Sequence, residues 1–235
     1  MHVLITGASK GIGLATAKKF AEAGAALSFC SRNESELLRA KHEIENEFQS
    51  PLFASVCDVS NEHAVQKFVT ESQGNLGPID LLINNAGFGL FKAVTEMTVN
   101  DFESVLATNL RGVFLMTQAV LPEMKARKQG TIVTVSSLAG RNGFAGGAAY
   151  CASKFGVRGL MQSLFLDVRS HNIRVITIFP GSVNTAFFDR AGHPLGNRAS
   201  SVLAEGDVAD AIYSAHMQRT GATISELDLR PTHPA

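Results

Sequence analysis

Tyr150 and Lys154 stand four residues apart in the segment Tyr150-Cys151-Ala152-Ser153-Lys154. On a helix this spacing puts a phenol and an ammonium on one face, a turn apart. A tyrosine with a pKa of about 10 is a poor proton carrier at neutral pH, and a nearby positive charge lowers that value. Such a phenol can give a proton to a carbonyl or take one from an alcohol. A Tyr-x-x-x-Lys pair is common and by itself mostly structural, so its company matters. Ser137 lies 13 residues upstream, just past the apolar run Thr131–Ser136. There its hydroxyl can hold a substrate oxygen and stabilise developing charge. The adjacent Ser136 is its rival. No histidine or glycine elbow surrounds Ser137, which argues against a hydrolase serine nucleophile. The seven histidines form no His-x-x-x-His or Cys/His cluster, so no catalytic metal is expected.

A second chemistry-bearing segment is Thr6-Gly7-Ala8-Ser9-Lys10-Gly11-Ile12-Gly13, directly after the apolar run Val3-Leu4-Ile5. Glycines let a strand-to-helix turn approach a pyrophosphate, and the helix N-terminus offers N–H groups and positive dipole. The spacing is Gly-x-x-x-Gly-x-Gly, not the commoner Gly-x-Gly-x-x-Gly.

Positioning these residues takes alternating strands and helices. Apolar runs predict strands near 2–6, 26–30, 52–57, 80–84, 130–136, 173–179 and 223–229. Helical periodicity fills 11–24, 33–48, 61–75, 98–126, 150–171 and 206–219, with Gly24 and Gly74 as C-terminal glycines. The expectation is an α/β fold. One doubly wound, Rossmann-type domain spans 1–235, with a seven-stranded parallel sheet flanked by helices. The irregular stretch 181–205, with Phe187, Phe188 and His193, is expected to be a substrate lid.

The glycine segment resembles the cofactor loop of the short-chain dehydrogenases/reductases, and the resemblance runs over essentially the whole chain. It implies a nicotinamide dinucleotide held by Gly7, Ser9, Lys10, Gly11, Ile12 and Gly13. Further cofactor contacts implied are Ser31 and Arg32, then Asp58 and Val59 toward the adenine. Asn85-Ala86-Gly87 matches the wall beside the ribose, and Pro180, Gly181, Val183 and Thr185 match the nicotinamide loop. The family spacing selects Ser137 over Ser136. Asn109 then completes a catalytic set with Ser137, Tyr150 and Lys154, holding a water that links Lys154 to solvent. An asparagine inside a helix also favours a local bend.

An acid at the end of the second strand grips a ribose 2′-hydroxyl. Here that strand ends Phe29-Cys30-Ser31-Arg32-Asn33, with Ser31 in the acid's place. Arg32 and Lys10 can pair with a 2′-phosphate instead, which makes NADP(H) the expected cofactor.

With 21 basic and 21 acidic residues, no global field favours nucleic acid or an anionic membrane, and neither is an expected partner. Three cysteines without paired spacing suggest a reducing, cytoplasmic setting. Phe88-Gly89-Leu90, Leu138 to Phe144 and Phe187-Phe188 predict an apolar pocket for a small carbonyl or alcohol substrate. Two branches of the family compete. The ending Ile224 to Thr232 is similar to sepiapterin-reductase-like members. Lys128 and His171, with Arg127, Arg169 and Arg174 nearby, partly match the basic surface of 3-oxoacyl-acyl carrier protein reductases. A non-catalytic NADP-binding sensor or structural subunit is the rival from another class. It is disfavoured because Tyr150 and Lys154 are both retained. The resemblance implies a homodimer or homotetramer, pairing the helices near 98–126 and 150–171.

Overall fold

The computed structural model describes residues 1–192, 196, 201–219 and 221–232. The seven apolar runs form β1 (His2–Thr6), β2 (Ala26–Ser31), β3 (Leu52–Val56), β4 (Leu81–Asn84), β5 (Gly130–Val135), β6 (Ile173–Pro180) and β7 (Glu226–Leu229). They make one sheet in the order β3-β2-β1-β4-β5-β6-β7, with every neighbouring pair parallel. Every residue of β1, β4 and β5 is buried, as parallel strands covered on both faces must be.

The helices are α1 (Gly11–Glu22), α2 (Glu34–Glu47), α3 (Glu62–Leu76), α4 (Val99–Leu106), α5 (Gly112–Arg127), α6 (Ala148–Val168), α7 (Phe187–Arg190) and α8 (Glu205–His216). One core layer packs Phe20 of α1, Leu37 and Ile44 of α2 and Ile212 of α8 against one sheet face. The other packs Phe68 of α3, Met116 of α5 and Met161 of α6 against the opposite face. The architecture is therefore the single doubly wound domain expected from the sequence. Strand order reverses between β1 and β4, and the crevice at their carboxyl ends is where such folds take ligands.

Some boundaries differ from expectation. Gly74 lies inside α3, and the glycine at the end of that helix is Gly77, at φ +79°. Gly24, at φ +75°, does follow α1 as expected. The helix expected over 98–126 divides into α4, a π-helical turn at Ala107–Arg111, and α5. This Val99–Arg127 run is long and apolar enough to cross a membrane, but half of its most apolar window is buried within the domain. The last strand starts at Glu226, three residues later than expected. The stretch 181–205 is not wholly irregular, since α7 lies in it and Val183 bridges Leu203 in parallel. His193 lies outside the described residues.

Candidate active site

At the end of β1 the backbone turns through Gly7 and Gly11, both at positive φ (+67° and +61°), a region open mainly to glycine. The amides of Gly7 and Ala8 donate to the Cys30 carbonyl at 2.8 and 3.2 Å. Thr6 Oγ1 accepts from the amides of Asn85 and Ala86, each at 3.0 Å. Asn85 Nδ2 returns two bonds of 3.0 Å to the carbonyls of Thr6 and Gly7. The loop after β4 thus fixes the loop after β1 by direct hydrogen bonds. α1 starts after Lys10 without a side-chain cap, leaving its first amides to an anion.

From this loop a cleft of about 970 Å³ runs across the sheet to Tyr150. Gly7, Ser9, Lys10, Gly11 and Ile12 line its first end, with Ser31, Arg32 and Val59. Asn85, Ala86 and Gly87 face Pro180, Gly181, Val183 and Thr185 along the middle. Ser137, Tyr150 and Lys154 lie at the far end. A cleft of this volume, opening on a glycine loop and an uncapped helix, fits a dinucleotide.

Three residues expected in the site are not in its wall. Gly13 packs behind it: a Cβ there would collide with the Gly7 carbonyl oxygen and Asn85 Nδ2, so this glycine lets α1 close on the loop. Asp58 turns its Oδ1 to the Ser60 amide and hydroxyl, at 2.9 and 2.8 Å, forming a local turn instead of a cleft wall. Asn109 is buried. Its Oδ1 accepts from the Phe88 amide at 3.0 Å, and its Nδ2 donates to the Phe88 carbonyl and Ser153 Oγ at 2.9 and 3.1 Å. The π turn around Asn109 is the helix distortion its position predicted, and π turns concentrate at functional sites.

At the chemical end, Ser137 acts on the Tyr150 phenol, favouring its charged form, and its Oγ accepts from the Ala139 amide at 3.1 Å. Ser136 is turned to the Lys154 carbonyl at 3.4 Å, so the geometry selects Ser137 of the two. Lys154 Nζ donates to the Val135 carbonyl at 3.0 Å and sits 5.6 Å from the Tyr150 ring centroid. Burial pushes the Tyr150 phenol up to about 12, with the Ser137 hydroxyl opposing that shift. Burial pulls Lys154 down to about 8. The expected lowering of the phenol by its lysine is therefore not met by the protein alone. Desolvation outweighs an ammonium that bonds to a carbonyl instead of the phenol oxygen. As built, Tyr150 is a protonated acid.

An aromatic wall surrounds it. Phe91 lies 5.7 Å and Phe187 5.5 Å from the Tyr150 ring, and Phe144 and Phe188 extend the cluster at 5.2 and 5.4 Å. Sequence reasoning found Phe144, Phe187 and Phe188 but missed Phe91, whose apolar side chain carries no motif. It also missed Thr6, although the hydroxyl ends the first strand beside the glycines. Two acids went unnoticed: Glu36, beside Lys10, and Glu205, held above its usual range by burial. Both come from helix first turns that reach the cleft only in three dimensions.

The short chain dehydrogenase profile matches residues 1–195. A sepiapterin reductase of Chlorobaculum tepidum is 34% identical over 98% of this chain and 96% of that protein. A 3-ketodihydrosphingosine reductase of Bos taurus is 38% identical over 85% of this chain and 62% of that protein. Among solved structures, the alcohol dehydrogenase of Thermococcus sibiricus, complexed with 5-hydroxy-NADP, superposes with a TM-score of 0.91 at 27% identity. That superposition covers 100% of this chain and 97% of the other. Profile, relatives and cleft agree: the chain belongs to the short-chain dehydrogenases, a family of nicotinamide-dependent oxidoreductases.

Proposed function

We propose that this chain reduces a small, moderately apolar ketone or aldehyde, with Tyr150 as the proton donor. It is an NADP-dependent oxidoreductase, and NADPH, when bound, supplies the hydride. The observation that carries the reading is convergence. Ser137, Tyr150 and Lys154 meet at one end of a cleft whose other end is a glycine loop flanked by Lys10 and Arg32. In this reading Ser137 holds the substrate oxygen and Tyr150, kept protonated by burial, gives its proton as that oxygen gains charge. Lys154, still mostly an ammonium below its pKa of about 8, stabilises the phenolate left when the proton departs and helps restore that proton. The side chain of Asn109 is fully engaged, so its share in a relay to solvent runs through the backbone of the π turn.

Lys10 and Arg32 are the proposed partners of the 2′-phosphate, and Gly7 and Gly11 let the backbone approach the pyrophosphate. At the substrate end, Phe91, Phe144, Phe187 and Phe188 favour a flat or compact apolar molecule, and a pterin-like ketone fits that lining. Reduction of a carrier-bound 3-oxoacyl group is less favoured. Arg127 is engaged with Asp80 and the Ile79 carbonyl, and Arg174 with the carbonyls of His216 and Gln218. The stretch 181–205, in which Val183 bridges Leu203, acts as the lid in this reading.

For assembly we propose a homodimer or homotetramer. Phe102 of α4, Phe114 of α5 and Phe155 of α6 stay exposed on the helices expected to pair, and a second copy would bury them. The three buried free thiols fit a reducing, cytoplasmic compartment. The test of function is a panel of carbonyls (sepiapterin, diketones and a 3-oxoacyl thioester) assayed with NADPH and NADH. Turnover of the compact ketones with NADPH is expected. A preference of tenfold or more for NADH would overturn the roles of Arg32 and Lys10, and turnover of the thioester alone would overturn the substrate class.

A further inference from the structure

The acid missing at Ser31 returns to the cleft from the next helix. Asn33 caps α2, its Oδ1 accepting from the Glu36 amide at 2.9 Å. Glu36 is thereby held in the first turn with its carboxylate turned back toward the glycine loop. Glu36 Oε1 accepts from Lys10 Nζ at 2.5 Å, and Glu36 Oε2 lies 3.5 Å from the Ser9 hydroxyl. Both side chains are partly shielded, 31% exposed for Lys10 and 23% for Glu36, and both line the cleft beside Ser31 and Arg32. The Arg32 guanidinium lies 5.9 Å from the Phe88 ring centroid. One of the two cations assigned to a 2′-phosphate is therefore already paired with a carboxylate.

We infer that Glu36 is a specificity-determining residue that limits the preference of the cleft for NADP over NAD by competing with the 2′-phosphate for Lys10. The inference rests on the NADP reading and deepens it. A phosphate that approaches Lys10 must displace the carboxylate or sit beside it, and two anions sharing one cation repel. A ribose 2′-hydroxyl carries no charge and can donate to the same carboxylate, as acids at this end of such clefts do. Glu36 thus weakens the phosphorylated dinucleotide and leaves the unphosphorylated one untouched or slightly favoured. For a partly exposed ion pair the effect is modest, about three- to fivefold in a dissociation constant.

The test measures binding, not turnover. Calorimetric dissociation constants for NADP⁺ and NAD⁺ are compared for the unaltered chain, Glu36→Gln, Lys10→Met and the double variant. Glu36→Gln keeps the backbone amide that Asn33 caps, and a thermal melt checks that the fold is retained. The expected result is about three- to fivefold tighter NADP⁺ binding in Glu36→Gln with NAD⁺ within twofold. Most of that gain should vanish when Lys10→Met is also present. Unchanged NADP⁺ binding overturns the inference, as does weaker binding, which would mean that Glu36 aims Lys10 at the phosphate. Equal tightening of both nucleotides also overturns it, since it would report a reshaped cleft. Failure of the unaltered chain to bind either nucleotide would sink the NADP reading itself, whereas normal binding without a Glu36 effect sinks only this inference.

Discussion

The two ends of the cleft are built in different ways. At the nucleotide end, hydrogen bonds to main-chain groups do the holding: the Cys30 carbonyl takes the Gly7 and Ala8 amides, the Thr6 hydroxyl takes the Asn85 and Ala86 amides, Asn85 Nδ2 donates to the Thr6 carbonyl, and glycines stand where a Cβ has no room. At the substrate end, ring edges and faces meet, and the proposed lid is tied at its base by the Asn184 amide to the Leu203 carbonyl and the Leu203 amide to the Ser182 carbonyl. Main-chain hydrogen bonds are directional and tolerate little displacement, whereas aromatic contacts can repack. The first end is suited to one invariant ligand, and the second can be altered without disturbing the first.

Tyr150 stands where the two ends meet, and its hydroxyl tests the junction most sharply. Tyr150→Phe keeps the ring contacts with Phe91 and Phe187 and removes only the acidic proton. Turnover of any carbonyl substrate should fall by about a thousandfold, within the usual range for loss of a general acid. NADP⁺ affinity by calorimetry should stay within twofold. A loss of less than tenfold would mean that the proton comes from another group.

The next largest effect belongs to the nucleotide end. Gly13→Ala puts a methyl group against the Gly7 carbonyl and Asn85 Nδ2, atoms already fixed by hydrogen bonds. Forced repacking of this kind costs about 1–3 kcal/mol, which lowers the melting temperature by several degrees in a domain of this size. NADP⁺ affinity should drop by about tenfold or more, because Gly7 belongs to the turn proposed to meet the phosphates. If affinity were kept at a lowered melting temperature, the loop would be more pliant than its hydrogen bonds imply.

The same contrast explains what could be read from the sequence. Gly7, Gly11, Asn85 and Tyr150 were legible because backbone conformation and proton chemistry restrict those positions to few residue types. The parallel sheet was legible because strands such as Val3-Leu4-Ile5 are buried on both sides and carry no polar face. Phe91 was not legible, since an apolar side chain entering a pocket looks like one entering a core. Gly74 was mistaken for a helix end because helical spacing ignores where a C-terminal turn closes, and that closure falls at Gly77. Glu36 escaped notice because its partner Lys10 is 26 residues away and the pairing depends on how α2 leaves β2. The altered acidity of Tyr150 escaped for a related reason: spacing reveals the nearby lysine but not the burial that outweighs it.

The smallest expected effect lies at the substrate end and asks whether the two ends are independent. Phe187 packs near Tyr150, Phe91 and Phe188, at 5.5, 6.2 and 5.4 Å between ring centroids. It also lies where a Cβ on Gly89 would come within 2.7 Å of its Cζ. Phe187→Ala removes aromatic contacts worth about 0.5–1.5 kcal/mol each, part of which the other rings recover by repacking. Substrate KM should rise roughly three- to tenfold, with kcat within about threefold, because Ser137 sits in the turn after β5, Tyr150 and Lys154 sit on α6, and none of the three is on the proposed lid. NADP⁺ binding should not change, since the bridge between Val183 and Leu203 stays in place. A matching loss of NADP⁺ affinity would show that Phe187 closes over both ligands, and the cleft would then have to be treated as one cooperative unit.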